Sequence, residues 1–195
     1  QGAGYDTTLV DTNKQNCEQA SAESLCVLCG NALDNSALQE AGVEKAGMVV
    51  ALTPNNETNI LITQFAKRAF RVQKRALLLQ PGTDISTTDF IRKSDVKVAI
   101  GSDINLGYWN RLIDEEDFVF VKHTLHEKLD GTQSLMDRLN HVALPVFLEN
   151  KDSINLVFRS SSLMPGTTVH FLVRKSRTAR FENEILKPSA EPVTA

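Results

Sequence analysis

The chain has few cysteines, no long apolar run and no surplus of one charge, and each shortage removes a class of protein. Its three cysteines are an odd number, which argues against a disulfide framework and for a reducing compartment. No uncharged apolar run reaches the roughly 18 residues that a membrane-spanning helix needs. Net charge is -3 with both signs interspersed, so nothing favours nucleic acid or an anionic membrane as a partner. The start, Gln1-Gly2-Ala3-Gly4-Tyr5, has neither the basic stretch nor the apolar core of a signal peptide. Lacking an initiator methionine, it reads as a processed or excised piece. What remains is ordinary: 195 residues at 42% hydrophobic content suit one medium domain, or a main domain with a small appendage.

The first hundred or so residues alternate short apolar runs with amphipathic stretches, the pattern of an α/β fold with a parallel sheet. Strands are expected at Thr7 to Asp11, Leu25 to Cys29, Met48 to Leu52, Arg75 to Gln80 and Val96 to Ile100. Asn13 and Asp34 are placed to cap helices, the second ending at Gly42. Thr53 reads as the cap of a longer helix from about Pro54 to Phe70, with Leu61, Phe65, Ala66, Ala69 and Phe70 on its buried face. Ile104 to Ile113 reads as a helix, and the acidic run Asp114-Glu115-Glu116-Asp117 as a solvated turn at a boundary. Beyond it, Phe118–Val121, Val142–Leu148, Ile154–Phe158 and Val169–Val173 are β-like, with a Pro165-Gly166 turn before the last. The tail from Ser176 is polar and expected to fray.

Each of the first three strands stops at a small polar residue, and in an open parallel sheet ligands sit outside the carboxyl ends of the strands. Asp11 admits two readings there: a carboxylate that accepts both ribose hydroxyls of an adenosine, or a turn aspartate. Gly30-Asn31-Ala32 leaves room for a base or ribose edge, or is a plain tight turn. Thr53 to Asn59 forms a polar helix entrance, for which capping is the default and a ligand contact the alternative. Cys26 and Cys29 have CxxC spacing, but three residues apart on a strand they point to opposite faces, so both are expected to be buried structural thiols. His123 and His126 have HxxH spacing without a third ligand and are expected at a surface or interface. Lys67, Arg68, Arg71, Lys74 and Arg75 gather positive charge, explained by the helix dipole or by an acidic partner. No nucleophile elbow or acid–base carboxylate pair stands out, so the chain does not read as an enzyme.

Four features recur in order: Leu9-Val10-Asp11, Gly30-Asn31-Ala32, Leu38-Gln39-Glu40-Ala41-Gly42 with Ala46, and Ala51-Leu52-Thr53 running on to Asn59. With them the stretch from about Tyr5 to Gln80 resembles the nucleotide-binding domain of the potassium-conductance-regulating (RCK) or Trk-N type. The resemblance implies a Rossmann-like parallel sheet, here lacking its first strand and Gly-rich loop, over residues 1–113. A small mainly β, Trk-C-like domain follows at 114–175, and a flexible tail at 176–195. Domains of this type bind AMP, ADP, ATP or NAD(H). By that likeness Asp11 holds the ribose and Asn31 and Thr53 border the adenine, with Thr12, Ala32 and Asn55 beside them. The family's usual aspartate after the glycine is Asn31 here, which alters the charge near any ligand.

The likeness further implies a cytoplasmic regulatory domain of a monovalent cation (Na+ or K+)/proton antiporter. It would lie at the cytoplasmic face of the membrane, joined to the transmembrane transport domain of the same protein, and pair as a homodimer without nucleic acid. Two other readings stay open: a fragment of an NAD-dependent oxidoreductase, and a dimerisation module whose nucleotide site has decayed.

Overall fold

In a computed structural model, residues 5–82, 89, 91–100, 104–126, 128–129, 131–139, 142–150 and 153–182 are described. They fall into two compact units, one from residues up to Leu77 together with 84–96, the other from 78–83 and from Lys97 onward.

The first unit repeats strand and helix: β1 (Thr8–Asp11), α1 (Lys14–Ala22), β2 (Cys26–Cys29), α2 (Asn35–Glu40), a short turn of 3-10 helix, β3 (Val49–Ala51), α3 (Asn56–Phe70) and β4 (Arg75–Leu77). Strands joined through a helix emerge side by side in the same direction. Accordingly β1 pairs parallel with β2, Thr8 opposite Cys26 through Asp11 opposite Cys29. In the same way β3 pairs parallel with β4, Val49 opposite Arg75 through Ala51 opposite Leu77. This is the mixed α/β arrangement with parallel strands expected from the alternating pattern, and the Rossmann-like fold that the resemblance implies.

Asn13 and Asp34 cap α1 and α2 as expected, each side chain accepting a backbone N–H two residues on. Gly42, at φ 75°, ends α2 in the left-handed region where a side chain would strain. Two expectations for α3 are corrected. Its N-cap is Asn55, whose side chain accepts from the Thr58 N–H, so Pro54 lies before the helix and Thr53 is not the cap. Its buried face is Asn59, Ile62, Thr63 and Ala66, while Leu61 is half exposed. Of the expected face, Ala66 is buried and Phe65 and Phe70 are partly buried, whereas Leu61 and Ala69 are exposed. Ala66 joins Leu38, Val43 and Val72 in a small core against which Ala32, Val49, Phe65 and Phe70 pack.

The second unit contains β5 (Lys97–Val98), α4 (Leu106–Asp114), β6 (Phe118–Thr124), α5 (Thr132–Leu139), β7 (Ala143–Asn150), β8 (Ser153–Leu156) and β9 (Thr168–Arg174). Four of these strands form an antiparallel sheet in the order β6-β9-β7-β8. The register of β7 on β9 shifts between Pro145 and Phe147, an irregularity at the position where proline has no N–H to give the ladder. β9 has apolar partners on both faces: Val169, Phe171 and Val173 enter one core with Leu135, Leu139 and Phe181, and Leu172 enters another with Trp109 and Leu112 of α4. The helix α4, grouped by sequence with residues 1–113, thus packs in the second unit. Phe181, in the segment read as a fraying tail, is fully buried with its ring 5.0 Å from that of Phe171. Residues 183–195 of that tail lie outside the described residues.

Candidate functional site

The carboxyl ends of β1 and β2 meet directly. The Gly30 N–H donates to the Asp11 carbonyl at 2.9 Å, carrying the parallel ladder one residue past the strands. A Cβ on Gly30 would come 3.2 Å from the Cβ of Ala37, so close approach of α2 explains this glycine. Asp11, half-buried, points its carboxylate at the start of α1. One oxygen accepts the Asn13 N–H at 2.9 Å, and the other accepts the Asn16 side-chain amide at 2.9 Å. A carboxylate has about four acceptor positions, so two protein donors orient it and leave acceptor capacity on both oxygens. That geometry suits the paired hydroxyls of a ribose.

Beside it, Asn31 is exposed and its side-chain oxygen accepts the Leu33 N–H at 2.9 Å, closing an Asx turn. Its amide nitrogen is the end left to offer a ligand. Thr12 is exposed in the bend between Asp11 and the α1 cap, whereas Ala32 packs against the core around Leu38. Thr53 and Asn55 occupy the corresponding turn after β3. The Thr53 N–H and hydroxyl both donate to the Asn59 side-chain oxygen at 2.8 Å, and the Asn59 amide returns a bond to the Thr53 carbonyl at 2.9 Å. Asn59 is fully buried. It fixes the turn that presents Thr53, a role the sequence reading missed because a polar residue at a buried helix position has no distinguishing pattern. Its only signal was the Thr-x-x-x-x-x-Asn interval across a strand-to-helix junction.

The cysteines also differ from expectation. Cys26 and Cys29 are exposed rather than buried, and Cys17 of α1 is the buried one. A hydrogen bond with Cys29, then burial, pushes the Cys17 thiol up to about 11. Its sulfur also donates to the Asp11 carbonyl at 3.4 Å. Cys17 and Cys29 therefore make contact at the same strand ends, a pairing across helix and strand that the CxxC spacing does not reveal.

In the second unit, His123 and His126 stack edge-on at 5.9 Å, and burial followed by the neighbouring ring lowers the His123 pKa. Among the described residues no group of three His, Cys, Asp or Glu side chains could hold a metal ion. No described helix is long and apolar enough to cross a membrane.

Residues 1–81 match the TrkA-N domain family. The Trk system potassium uptake protein TrkA of Vibrio alginolyticus is 33% identical over 98 residues, covering 49% of this chain and 20% of that protein. A Trk system potassium uptake protein TrkA homolog of Methanothermobacter thermautotrophicus is 39% identical over 59 residues, covering 30% of this chain and 27% of that protein. Among solved structures, the TrkA-N domain of the inner membrane protein ybaL from Escherichia coli aligns with 57% of this chain and 78% of its own, at 14% identity and a TM-score of 0.44. The chain thus spans between 20% and 27% of the length of these two curated relatives.

Proposed function

We propose that the chain, whose residues 1–81 match the TrkA-N domain family, is a regulatory part of a monovalent cation transporter that senses an adenine nucleotide. The carrying observation is the Asp11 carboxylate, held at the end of β1 by Asn13 and Asn16 with acceptor capacity to spare. In this reading Asp11 takes the two ribose hydroxyls of AMP, ATP or NAD(H). The amide of Asn31 and the hydroxyl of Thr53 border the adenine, with Thr12, Ala32 and Asn55 lining the turns. A carboxylate at this place also disfavours a ribose that carries a 2′-phosphate.

The transporter is proposed to be a Na+ or K+/proton antiporter, with this part at the cytoplasmic face, attached to the membrane domain and paired as a homodimer. The nucleotide acts by binding two conformations unequally, since a ligand shifts an equilibrium only by its differential affinity. No residue is assigned a catalytic role. Titration with AMP, ATP and NADH, followed by calorimetry, tests the reading. Asp11→Ala should weaken binding at least about tenfold, the cost of a charge-assisted pair of hydrogen bonds. Binding unchanged by that substitution would remove Asp11 from the site.

A second reading has its own support. Asn31, Asn55 and Thr53 each spend a side-chain oxygen on a local turn. A dimerisation module whose nucleotide site has decayed would keep those turns for stability alone. Its signature is dimer formation that no nucleotide alters.

A further inference from the structure

The opposite edge of the first unit holds an unassigned cavity. Helix α3 runs back along β3 and β4, so its last turn lies at the amino ends of the strands, away from Asp11, Asn31 and Thr53. There a cavity of about 410 Å³ is lined by Thr63, Gln64, Lys67 and Arg68 of α3, by Arg75 at the start of β4, and by Ser94. That volume falls within the range of roughly 300–1,000 Å³ typical of small-molecule sites.

Arg75 makes this more than a surface hollow. Only 3% of it is exposed, yet its guanidinium meets neutral carbonyls: Val72 at 3.1 Å, Ser94 at 3.3 Å and Asp95 at 3.2 Å. Its Nε is buried without any hydrogen-bond partner. A buried cation with no counter-charge among the described residues is costly, because carbonyl dipoles replace only part of its hydration. Among the described residues Asp89 is engaged by Arg92, and Asp95 reaches Arg75 through its backbone. Lys67 and Arg68 add two exposed positive charges at the same cavity. The carboxyl end of α3 offsets this by roughly half a negative charge, so three full positive charges dominate.

We propose that this cavity binds a small phosphate-bearing anion with at least two negative charges, free or carried on a small metabolite. Lys67 and Arg68 close over it from α3, and the buried Arg75 supplies the fixed positive charge beneath. Arginine and lysine together match such an anion, arginine through paired N–H donors and lysine as a point charge. The site is independent of the nucleotide reading, because it shares no residue with the carboxyl ends of the strands.

Inorganic pyrophosphate, titrated into the chain by calorimetry and thermal unfolding at low salt, is the probe. Sodium chloride at equal ionic strength is the control. Pyrophosphate should raise the melting temperature beyond the control. The double variant Lys67→Glu/Arg68→Glu should bind it at least about tenfold more weakly while unfolding near the parent temperature without ligand. Lys67→Gln alone, a milder change at an exposed position, should weaken binding in the same direction. Asp11→Ala should bind pyrophosphate as the parent does. Equal affinity in parent, single and double variants, or a response no larger than the chloride control, overturns the proposal. Pyrophosphate binding that changes in Asp11→Ala but not in the α3 variants assigns the anion to the nucleotide edge and overturns it as well.

Discussion

Asn59 is the residue on which the β3–α3 turn depends. It accepts from the Thr53 N–H and hydroxyl and donates to the Thr53 carbonyl, so one buried side chain satisfies the groups the chain frees on leaving β3. Removing it takes the side-chain partner from the Thr53 N–H and carbonyl, while the hydroxyl keeps the Asn55 carbonyl at 3.1 Å, and Asn59→Ala should cost about 1–3 kcal/mol. Urea unfolding measures that loss, and an unchanged midpoint would show the turn held by something else. Glu149 is the clearest case of acid sensitivity. The His170 ring at 2.6 Å, then the Lys122 ammonium at 3.1 Å, hold its carboxyl below the ordinary 4.5. With the folded value depressed, the contribution is complete above about pH 4.5 and disappears as pH falls through the folded value. Glu149→Gln should flatten that part of the stability profile, as urea midpoints taken between about pH 5 and pH 3 would reveal. The candidate site itself was partly readable residue by residue. Asp11, Asn31 and Thr53 stand out because a polar residue after a short apolar run marks a strand end. Asn59 and the Cys17–Cys29 contact did not, since both join residues from different elements and only the folded backbone brings them together.

At the scale of elements, parallel strands were legible from apolar runs alone, and helix starts from Asn13 and Asp34. The start of α3 was misplaced because two adjacent polar positions competed for the cap: Thr53 turns inward to Asn59, which leaves the role to Asn55. The face of α3 was legible in part: Ala66 is buried and Phe65 and Phe70 pack on its core, whereas Leu61 is exposed and the polar Asn59 and Thr63, which an apolar periodicity does not pick out, lie beneath the helix. Helix α5 passed unread for want of length: in Thr132–Leu139, Leu135, Met136 and Leu139 are its only large apolar residues. The end of the second unit was misread for the opposite reason, a polar stretch with one decisive aromatic. Phe181 fills the core beside Phe171, Val169 and Val173. Phe181→Ala should lower stability by about 3–5 kcal/mol, the usual cost of emptying a buried phenylalanine site. Thermal and urea unfolding check it, and a loss below about 1 kcal/mol would mean that this segment does not anchor the sheet.

Over the whole molecule, the two proposed sites divide between the two edges of the first unit. The carboxyl ends of β1 and β2 bring Gly30 and Asn31 beside Asp11, the end of β3 carries Thr53 and Asn55, and the amino end of β4 lies with Lys67 and Arg68 around Arg75. Ribose hydroxyls suit the first and the charge of a phosphate-bearing anion suits the second. The second unit supplies an antiparallel sheet with two apolar cores. The central claim is that Asp11 and its neighbouring turns hold an adenine nucleotide. The most direct measurement is an NMR titration of the labelled chain with AMP and with NADH, repeated on Asp11→Ala. The account predicts saturable shifts concentrated at the amides of Asp11 to Asn13, Gly30 to Ala32, Thr53 and Asn55, lost in the variant. Shifts absent from those turns, or identical in the two proteins, would contradict it.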